Sequence, residues 1–98
     1  MRVNYSTKAF NDLLDIHDYL IDNFGANIAD KKIFEIKRDI DFLSTDPFMG
    51  RSVDGHDQNL RQFRSGPSII LYDVNDKVVE ILHIIDGRTD YQNKLAKK

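Results

Sequence analysis

Side chains that can hold an anion or transfer a proton are concentrated in the second half of the chain, at Arg61, Arg64, His83, Arg88 and Tyr91. An arginine offers a planar fork of donors that matches a phosphate or a carboxylate, whereas a histidine or a tyrosine can also move a proton. Arg88 follows a glycine at the end of a predicted strand, where its side chain can project freely. The sequence therefore predicts a functional role for Arg88, in recognition first and in catalysis second.

A predicted β-hairpin over residues 68–85 presents Arg88 at its end. Two runs rich in β-branched and aromatic residues are separated by Asn75-Asp76, and both of these residues tolerate the positive φ of a tight two-residue turn. With this turn, Val74 would face Lys77. One face of the hairpin would then be almost wholly apolar and would receive the helices. The other face would stay partly open and would include Ile69, Leu71, Val78 and Leu82.

The residues ahead of the hairpin predict one strand and two helices. Residues 2–5 alternate as in a short strand, and Ser6 or Thr7 offers an N-cap hydroxyl to a helix over about residues 8–23. Gly25 should end that helix. Its predicted apolar face comprises Phe10, Leu13, Leu14, His17, Leu20, Ile21 and Phe24. Its predicted solvated face includes Asp12, Asp15, Asp18 and Asp22, whose helical spacing requires no metal ion.

A second helix is predicted over about residues 27–44, because an apolar stripe steps along it by three and four positions. This stripe consists of Ala29, Ile33, Ile36, Ile40 and Leu43. Asp46-Pro47 should end the helix, a loop should extend to about Gln58, and residues 59–64 read as a strand. The chain is therefore predicted to form one α+β domain, residues 1–98, in the order β-α-α-β-β-β. A helical hairpin would pack on one face of an antiparallel sheet.

Composition excludes several classes of protein. The 98 residues contain no cysteine, which excludes disulfides, thiolate metal sites and cysteine nucleophiles. The formal net charge of −2 argues against a surface dominated by phosphate contacts. The sequence has no apolar run of about 20 residues that could span a bilayer, so the cytoplasm is the expected location. No cofactor and no metal are expected.

The ordered combination of these features resembles the RelE/ParE toxin superfamily of type II toxin-antitoxin systems. The resemblance rests on Asp46-Pro47 followed by Gly50-Arg51, a strand ending in arginine, an Ile-Leu-Tyr strand, and Val-Glu-Ile-Leu-His-Ile-Ile followed by Gly87-Arg88-Thr89-Asp90. It extends over nearly the whole chain, and the ending is more similar to the ParE branch. The resemblance implies a cognate antitoxin whose C-terminal segment wraps the toxin, and we expect it to cover Ile69, Leu71, Val78 and Leu82.

The two branches imply different targets. ParE-like members poison DNA gyrase, whereas RelE-like members cut mRNA on the ribosome, which requires a base, an acid and cations around the phosphate. In a ribonuclease, Arg61, Arg64 and Arg88 would hold phosphate, and His83 or Tyr91 would move protons. The match to that branch is partial, because the segment from residue 52 to residue 58 contains no lysine.

Structural roles compete with these functional ones. His17 is expected to be packed and hydrogen-bonded, and His56 to be solvated. For His83 a structural role is favoured over a catalytic one. Arg61 and Arg64 could each pair with a helix carboxylate such as Asp39 or Asp41, and this alternative stays open.

The gyrase-inhibiting interpretation is favoured because of the ParE-like ending, the pI of about 5.8 and the absence of a lysine-rich loop. Arg88, Arg61 and Arg64 are the predicted target-recognition residues. Two alternatives stay open. One is a ribosome-dependent mRNA endonuclease, and the other is a module that still binds the antitoxin but is no longer toxic.

Overall fold

The computed structural model describes residues 1–55 and 59–87. In chain order the elements are β1 (Arg2–Tyr5), α1 (Thr7–Phe24), α2 (Ala26–Thr45), β2 (Arg51–Ser52), β3 (Leu60–Ser65), β4 (Ser68–Asn75) and β5 (Val78–Asp86). The strands form one five-stranded sheet in the order β1-β5-β4-β3-β2. The two helices pack on this sheet, which confirms the predicted α+β fold.

The sheet is mixed, because its first strand runs parallel to its last. β1 pairs with β5 in parallel, with Arg2 opposite Val78 and Tyr5 opposite Ile81. The pairs β5-β4 and β4-β3 are antiparallel, as predicted. β2 lies within the predicted loop and adds an unpredicted strand, which pairs antiparallel with β3. The predicted sheet was wholly antiparallel, so the parallel pairing of β1 with β5 was not predicted. It is possible because the helical hairpin carries the chain across the sheet after β1, and the chain returns beside β1 as β5.

The turn between β4 and β5 lies one residue later than the sequence predicted. Asn75 pairs with Val78, so the turn residues are Asp76 and Lys77, and Asp76 takes the positive φ of 44°. Val74 therefore faces Val79 and not Lys77, because Asn75 stays in the ladder. Each residue of β4 therefore pairs with a residue of β5 two positions later than predicted. Because this shift is an even number of residues, the same side chains lie on each face of the hairpin as predicted.

A β-bulge interrupts β5 and was not predicted. Tyr72 pairs with Ile81 whereas the preceding Leu71 pairs with His83, which leaves Leu82 as an extra residue. A bulge bends the strand and redirects the side chains on either side of it. As a result His83 pairs with Leu71, its ring bonds Asp12 of α1 at the edge of the strand, and Ile84 returns to the core, where it is buried.

The buried side of α1 differs from the predicted apolar face. The buried residues of α1 are Ala9, Asp12, Leu13, Ile16 and Leu20. Phe10, Leu14, Ile21 and Phe24 were predicted to face the core but are exposed, and Asp12 was predicted to be solvated but is buried. The helix is rotated so that Asp12 reaches β5, where its carboxylate accepts from the Ile84 amide. On α2 the predicted stripe is confirmed: Ala29, Ile36, Ile40 and Leu43 are buried and Ile33 is partly buried.

Beyond Tyr5, α1 replaces β1 as the neighbour of β5. Ser6 is the N-cap of α1, and its side-chain oxygen accepts from the Ala9 amide at 3.0 Å. The same hydroxyl donates to the Leu82 carbonyl at 2.9 Å, and the Ser6 amide donates to the Ile81 carbonyl at 2.9 Å. The start of the helix thus satisfies backbone groups of β5 that no strand covers.

Asp12, nearly two turns further along α1, continues this contact. Its Oδ2 accepts from the Ile84 amide at 2.9 Å and also bonds His83 Nδ1, while its Oδ1 pairs with Lys8 Nζ at 2.9 Å. Burial acts to raise the pKa of Asp12, but the hydrogen bonds from Ile84, Lys8 and His83 outweigh it. The pKa therefore lies below the ordinary aspartate value of 3.8.

Replacing Asp12 by asparagine should lower the free energy of unfolding at neutral pH by about 1–3 kcal/mol, because a charged acceptor is removed from buried donors. The carboxylate adds stability that is complete above the ordinary pKa and is lost as the pH falls through the lower folded-state pKa. Urea unfolding from neutral to strongly acidic pH should therefore give a flatter profile for Asp12→Asn than for the wild type.

Asp15→Asn is the matched control, because Asp15 lies on the same helix and is exposed. It should keep both the stability and the acid dependence of the wild type. A steep acid profile retained by Asp12→Asn would contradict the role assigned to Asp12.

Candidate functional site

A β-turn after α2 presents two large apolar side chains to solvent. Pro47 supplies the fixed φ that favours the second position of such a turn, and the Met49 amide donates to the Asp46 carbonyl at 3.1 Å. Phe48 and Met49 are 53% and 40% exposed. The sequence indicated only a loop here, and the combination of Pro47 with two adjacent apolar residues was the available signal.

Tyr72 of β4 holds this turn against the sheet through its hydroxyl group. Its side chain lies in the core with 0% exposure, and its hydroxyl donates to the Pro47 carbonyl at 2.8 Å and accepts from the Gly50 amide at 3.0 Å. Burial raises the pKa of the Tyr72 phenol, so the hydroxyl keeps the proton that it donates. A side chain at position 50 would not fit, because a Cβ there would lie 2.5 Å from the Tyr72 oxygen and 2.6 Å from the Gln62 carbonyl.

Arg61 also holds the turn. It is cross-strand neighbour to Tyr72, and its Nη1 donates to the Gly50 carbonyl at 2.7 Å. Its guanidinium lies 4.7 Å from the centre of the Phe48 ring, a distance typical of a cation-π contact. Its Nε is buried and has no hydrogen-bond partner among the residues described. The carboxylate of Asp39 instead accepts from Ser65.

Arg64 lies on the opposite face of β3 from Arg61. It is exposed and stands across from Ile69, and within residues 1–55 and 59–87 it forms no hydrogen bond or ion pair. Arg64 and Arg51 line an open cavity of about 360 Å³ together with Met49 and Gln62. Of the two arginines predicted on β3, the structure thus leaves Arg64 available for an external partner.

Of the other predicted candidates for catalysis, His83 is described, and it does not line the cavity of Arg64. His83 lies at the edge of β5, where its ring is bonded to Asp12. Arg88, Tyr91 and His56 lie outside the described residues. Ile69, Leu71, Val78 and Leu82 are each half-buried on the sheet face away from the helices, where the sequence placed them.

A second apolar surface lies on the helical hairpin. Phe10 and Leu14 of α1 are 55% and 49% exposed, and with Leu13 and Ile33 they line a groove of about 410 Å³ that continues to Tyr5. His17 borders it, half-buried, with its Nε2 2.9 Å from Asp30 Oδ1. The predicted apolar face of α1 contains more apolar residues than a helix packed on one side can bury. These additional apolar residues were the sequence signal for the groove.

Two tests for other kinds of site were negative for the described part of the chain. No group of three or more histidine or acidic side chains is arranged to hold a metal ion. No helix there has the length and apolar character needed to cross a membrane.

Comparison with known proteins identifies the family. Residues 3–91 match the model of the ParE toxin of type II toxin-antitoxin systems, parDE. The chain is 31% identical over 97 residues to toxin ParE3 of Caulobacter vibrioides, covering 99% of this chain and 97% of that protein. This chain belongs to the ParE toxin family of type II toxin-antitoxin systems.

Solved structures share the fold. A chain of the chromosomal ParDE system from Pseudomonas aeruginosa superposes with a TM-score of 0.76 at 23% identity, covering 88% of this chain and 95% of that chain. The hypothetical protein HP0894 from Helicobacter pylori superposes with a TM-score of 0.52 at 15% identity, covering 86% and 91%. At these identities the likeness concerns the fold alone.

Replacing Gly50 by alanine should destabilise the protein by about 1–3 kcal/mol, because a methyl group would be forced against the Tyr72 oxygen and a backbone carbonyl. Denaturant unfolding measures this change. Gly87→Ala is the control, because among the residues that the structure describes a Cβ at Gly87 would meet only the Pro67 carbonyl, at 3.7 Å. Equal stability of the two variants would show that the turn does not depend on its contact with Tyr72.

Proposed function

We propose that this chain inhibits DNA gyrase, as ParE-like toxins do, and that a cognate antitoxin neutralises it. The match to the ParE family over residues 3–91 is the observation that carries the proposal. In this function the protein binds gyrase and stabilises the cleaved DNA complex, so it requires a recognition surface and no set of catalytic side chains.

The geometry of the candidate ribonuclease residues favours this choice. Arg61 is engaged by the Gly50 carbonyl and His83 by Asp12. β4 lies between their strands, so the backbones are about 10 Å apart, two strand spacings. A base and a cation that act on one phosphate must converge on it, whereas these two side chains are directed to separate structural contacts.

Target recognition is proposed for Arg64 and Arg88, with Arg61 acting through the turn that it holds. Arg64 is exposed on the open sheet face, and arginine is enriched where protein interfaces concentrate their binding energy. Arg88 is proposed on its sequence position alone, directly after the last strand.

The antitoxin is proposed to cover the apolar surfaces that the fold leaves open. Ile69, Leu71, Val78 and Leu82 form one such surface on the sheet, and the groove of Phe10 and Leu14 forms another on the helices. Exposed apolar surface of this extent is typical of a protein-binding site, and an amphipathic helix or an extended segment could bury it.

The gyrase proposal is tested with purified protein, gyrase and supercoiled plasmid. The wild type should inhibit supercoiling and trap cleaved DNA, and Arg64→Ala and Arg88→Ala should each reduce the trapping by about tenfold, the loss expected for an important interface residue. Arg38→Ala is a matched control, because Arg38 is an exposed arginine on α2 paired with Asp39. It should act like the wild type.

Absence of trapped DNA would exclude the proposal. The same preparation should then be assayed on translating ribosomes by toeprinting. Cleavage of mRNA there would establish the RelE-like mechanism instead.

The antitoxin surface is tested by adding one negative charge to each apolar surface. Leu71→Asp and Leu14→Asp should each weaken the complex by tenfold or more, since roughly 1–3 kcal/mol of apolar burial is lost with each leucine. Asn11→Asp adds the same charge to α1 at an exposed position that does not line the groove. Calorimetric titration with the antitoxin, with circular dichroism to verify folding, gives the comparison. Unchanged affinity of a folded variant would exclude that surface.

A further inference from the structure

Phe48 and Met49 are exposed although the loop that carries them is firmly held. The Asp46 carbonyl, the Tyr72 hydroxyl and the Arg61 guanidinium each bond the backbone of residues 47–50. Two apolar side chains on a disordered loop would lose conformational freedom on binding a partner. Here the fold has already restricted the backbone, so the cost of ordering it on association is reduced.

One face of the Phe48 ring is turned to Arg61, and the side chain still keeps 53% of its surface exposed. Arg61 Nε is buried with no hydrogen-bond partner in the described residues, which costs free energy. This cost is compensated by the contacts of the same guanidinium with the Gly50 carbonyl and the Phe48 ring. The arrangement fixes an aromatic side chain in the position from which it can enter a partner.

The surroundings of Met49 are positively charged. Arg51 and Arg64 line the cavity beside Met49, and no carboxylate of residues 1–55 and 59–87 lines it. With the Gln62 amide oriented to satisfy its neighbours, its oxygen accepts from Arg51 Nε at 3.0 Å and from Nη2 at 2.9 Å. This pairing orients the Arg51 guanidinium beside the cavity. Arg64 is exposed across the same cavity.

We propose that Phe48, Met49, Arg51 and Arg64 form one docking surface, called here the turn surface, for the target protein of the toxin. The partner that fits it is a folded protein with an apolar pocket bordered by carboxylates. Phenylalanine, methionine and arginine are enriched in protein interfaces, and the two arginines favour an acidic partner through complementary charge. The identity of the target as gyrase rests on the proposed function, whereas the surface rests on the contacts described above.

A protein partner is favoured over nucleic acid. Phosphate binding depends on several clustered cations, whereas the turn surface has two arginines in a chain of net charge −2. Its other two side chains, Phe48 and Met49, are apolar and 53% and 40% exposed.

The turn surface is also distinct from the groove on the helices, since they share no lining residue. A variant at Phe48 or Met49 can therefore lose target binding and still bind antitoxin through the helices, whereas Arg64 lies opposite Ile69, a residue of the proposed antitoxin surface on the sheet.

The experiment compares Phe48→Ala, Met49→Ala and the double variant Arg51→Glu/Arg64→Glu with the wild type. Phe34→Ala is the matched control, because Phe34 is 66% exposed and lies about three turns before the end of α2. Three quantities are measured for each protein: growth arrest on expression without antitoxin, affinity for purified gyrase, and affinity for the antitoxin.

Phe48→Ala and the double arginine variant should each weaken gyrase binding by at least about tenfold and should relieve growth arrest. The double variant should act mainly on the association rate and should lessen the salt dependence. Phe34→Ala should match the wild type in all three measurements. A circular dichroism spectrum that matches the wild type shows that a variant is folded, and Phe48→Ala should keep antitoxin affinity within about twofold of the wild type.

Full growth arrest by a folded Phe48→Ala or Arg51→Glu/Arg64→Glu variant would overturn the inference. Growth arrest by a wild type that does not bind gyrase would refute the gyrase assignment alone. The turn surface would then be tested by whether its variants still arrest growth. A wild type that neither arrests growth nor binds gyrase would overturn both. Binding to a plain DNA duplex that is lost in the arginine variant and kept in Phe48→Ala would replace the protein partner by nucleic acid.

Discussion

The contact of Asp12 with the edge of β5 is the constraint on which the arrangement of the two layers depends. β1 ends at Tyr5, so the backbone of β5 beyond Ile81 has no strand beside it on that side. Ser6 and Asp12 supply the missing partners, and the bulge at Leu82 directs the Ile84 amide toward the carboxylate. This contact fixes the rotation of α1, which buries Leu13, Ile16 and Leu20 and leaves Phe10 and Leu14 exposed.

Local signals predicted most of the fold. The helix limits followed from Ser6, Gly25 and Pro47, because caps and breakers act within a few residues. The hairpin faces followed from the period of two, which a shift by an even number of residues preserves. The turn was misplaced because Asn75-Asp76 and Asp76-Lys77 can both take a tight turn, and the choice depends on the complete ladder. The bulge and the burial of Asp12 depend on contacts between residues more than 70 positions apart in sequence, which no local pattern contains.

The site was less predictable for a related reason. Arginine and histidine are versatile, and only the structure shows which are used internally. Arg61 supports a turn, whereas Arg64, three residues later and on the other face, is available to a partner. The exposure of the apolar residues was also not predicted. Phe10 and Leu14 were assigned to the core because of their spacing, and Phe48 and Met49 were treated only as part of a loop. In each case the sequence showed that the residue is apolar, but it did not show that the side chain is exposed to solvent.

The sheet edges have a consequence for a protein with so much exposed apolar surface. β2, at one edge, is only two residues long, β1, at the other, has four, and the open part of β5 is covered by α1. Long bare edges are where chains add strand to strand and aggregate. Here the accessible apolar side chains lie on the helices, on a turn and on the open face of the sheet, where association needs a complementary shape. The short strand edges offer few backbone groups with which another chain could pair. The fold thus permits specific binding of a partner and disfavours aggregation through the strand edges.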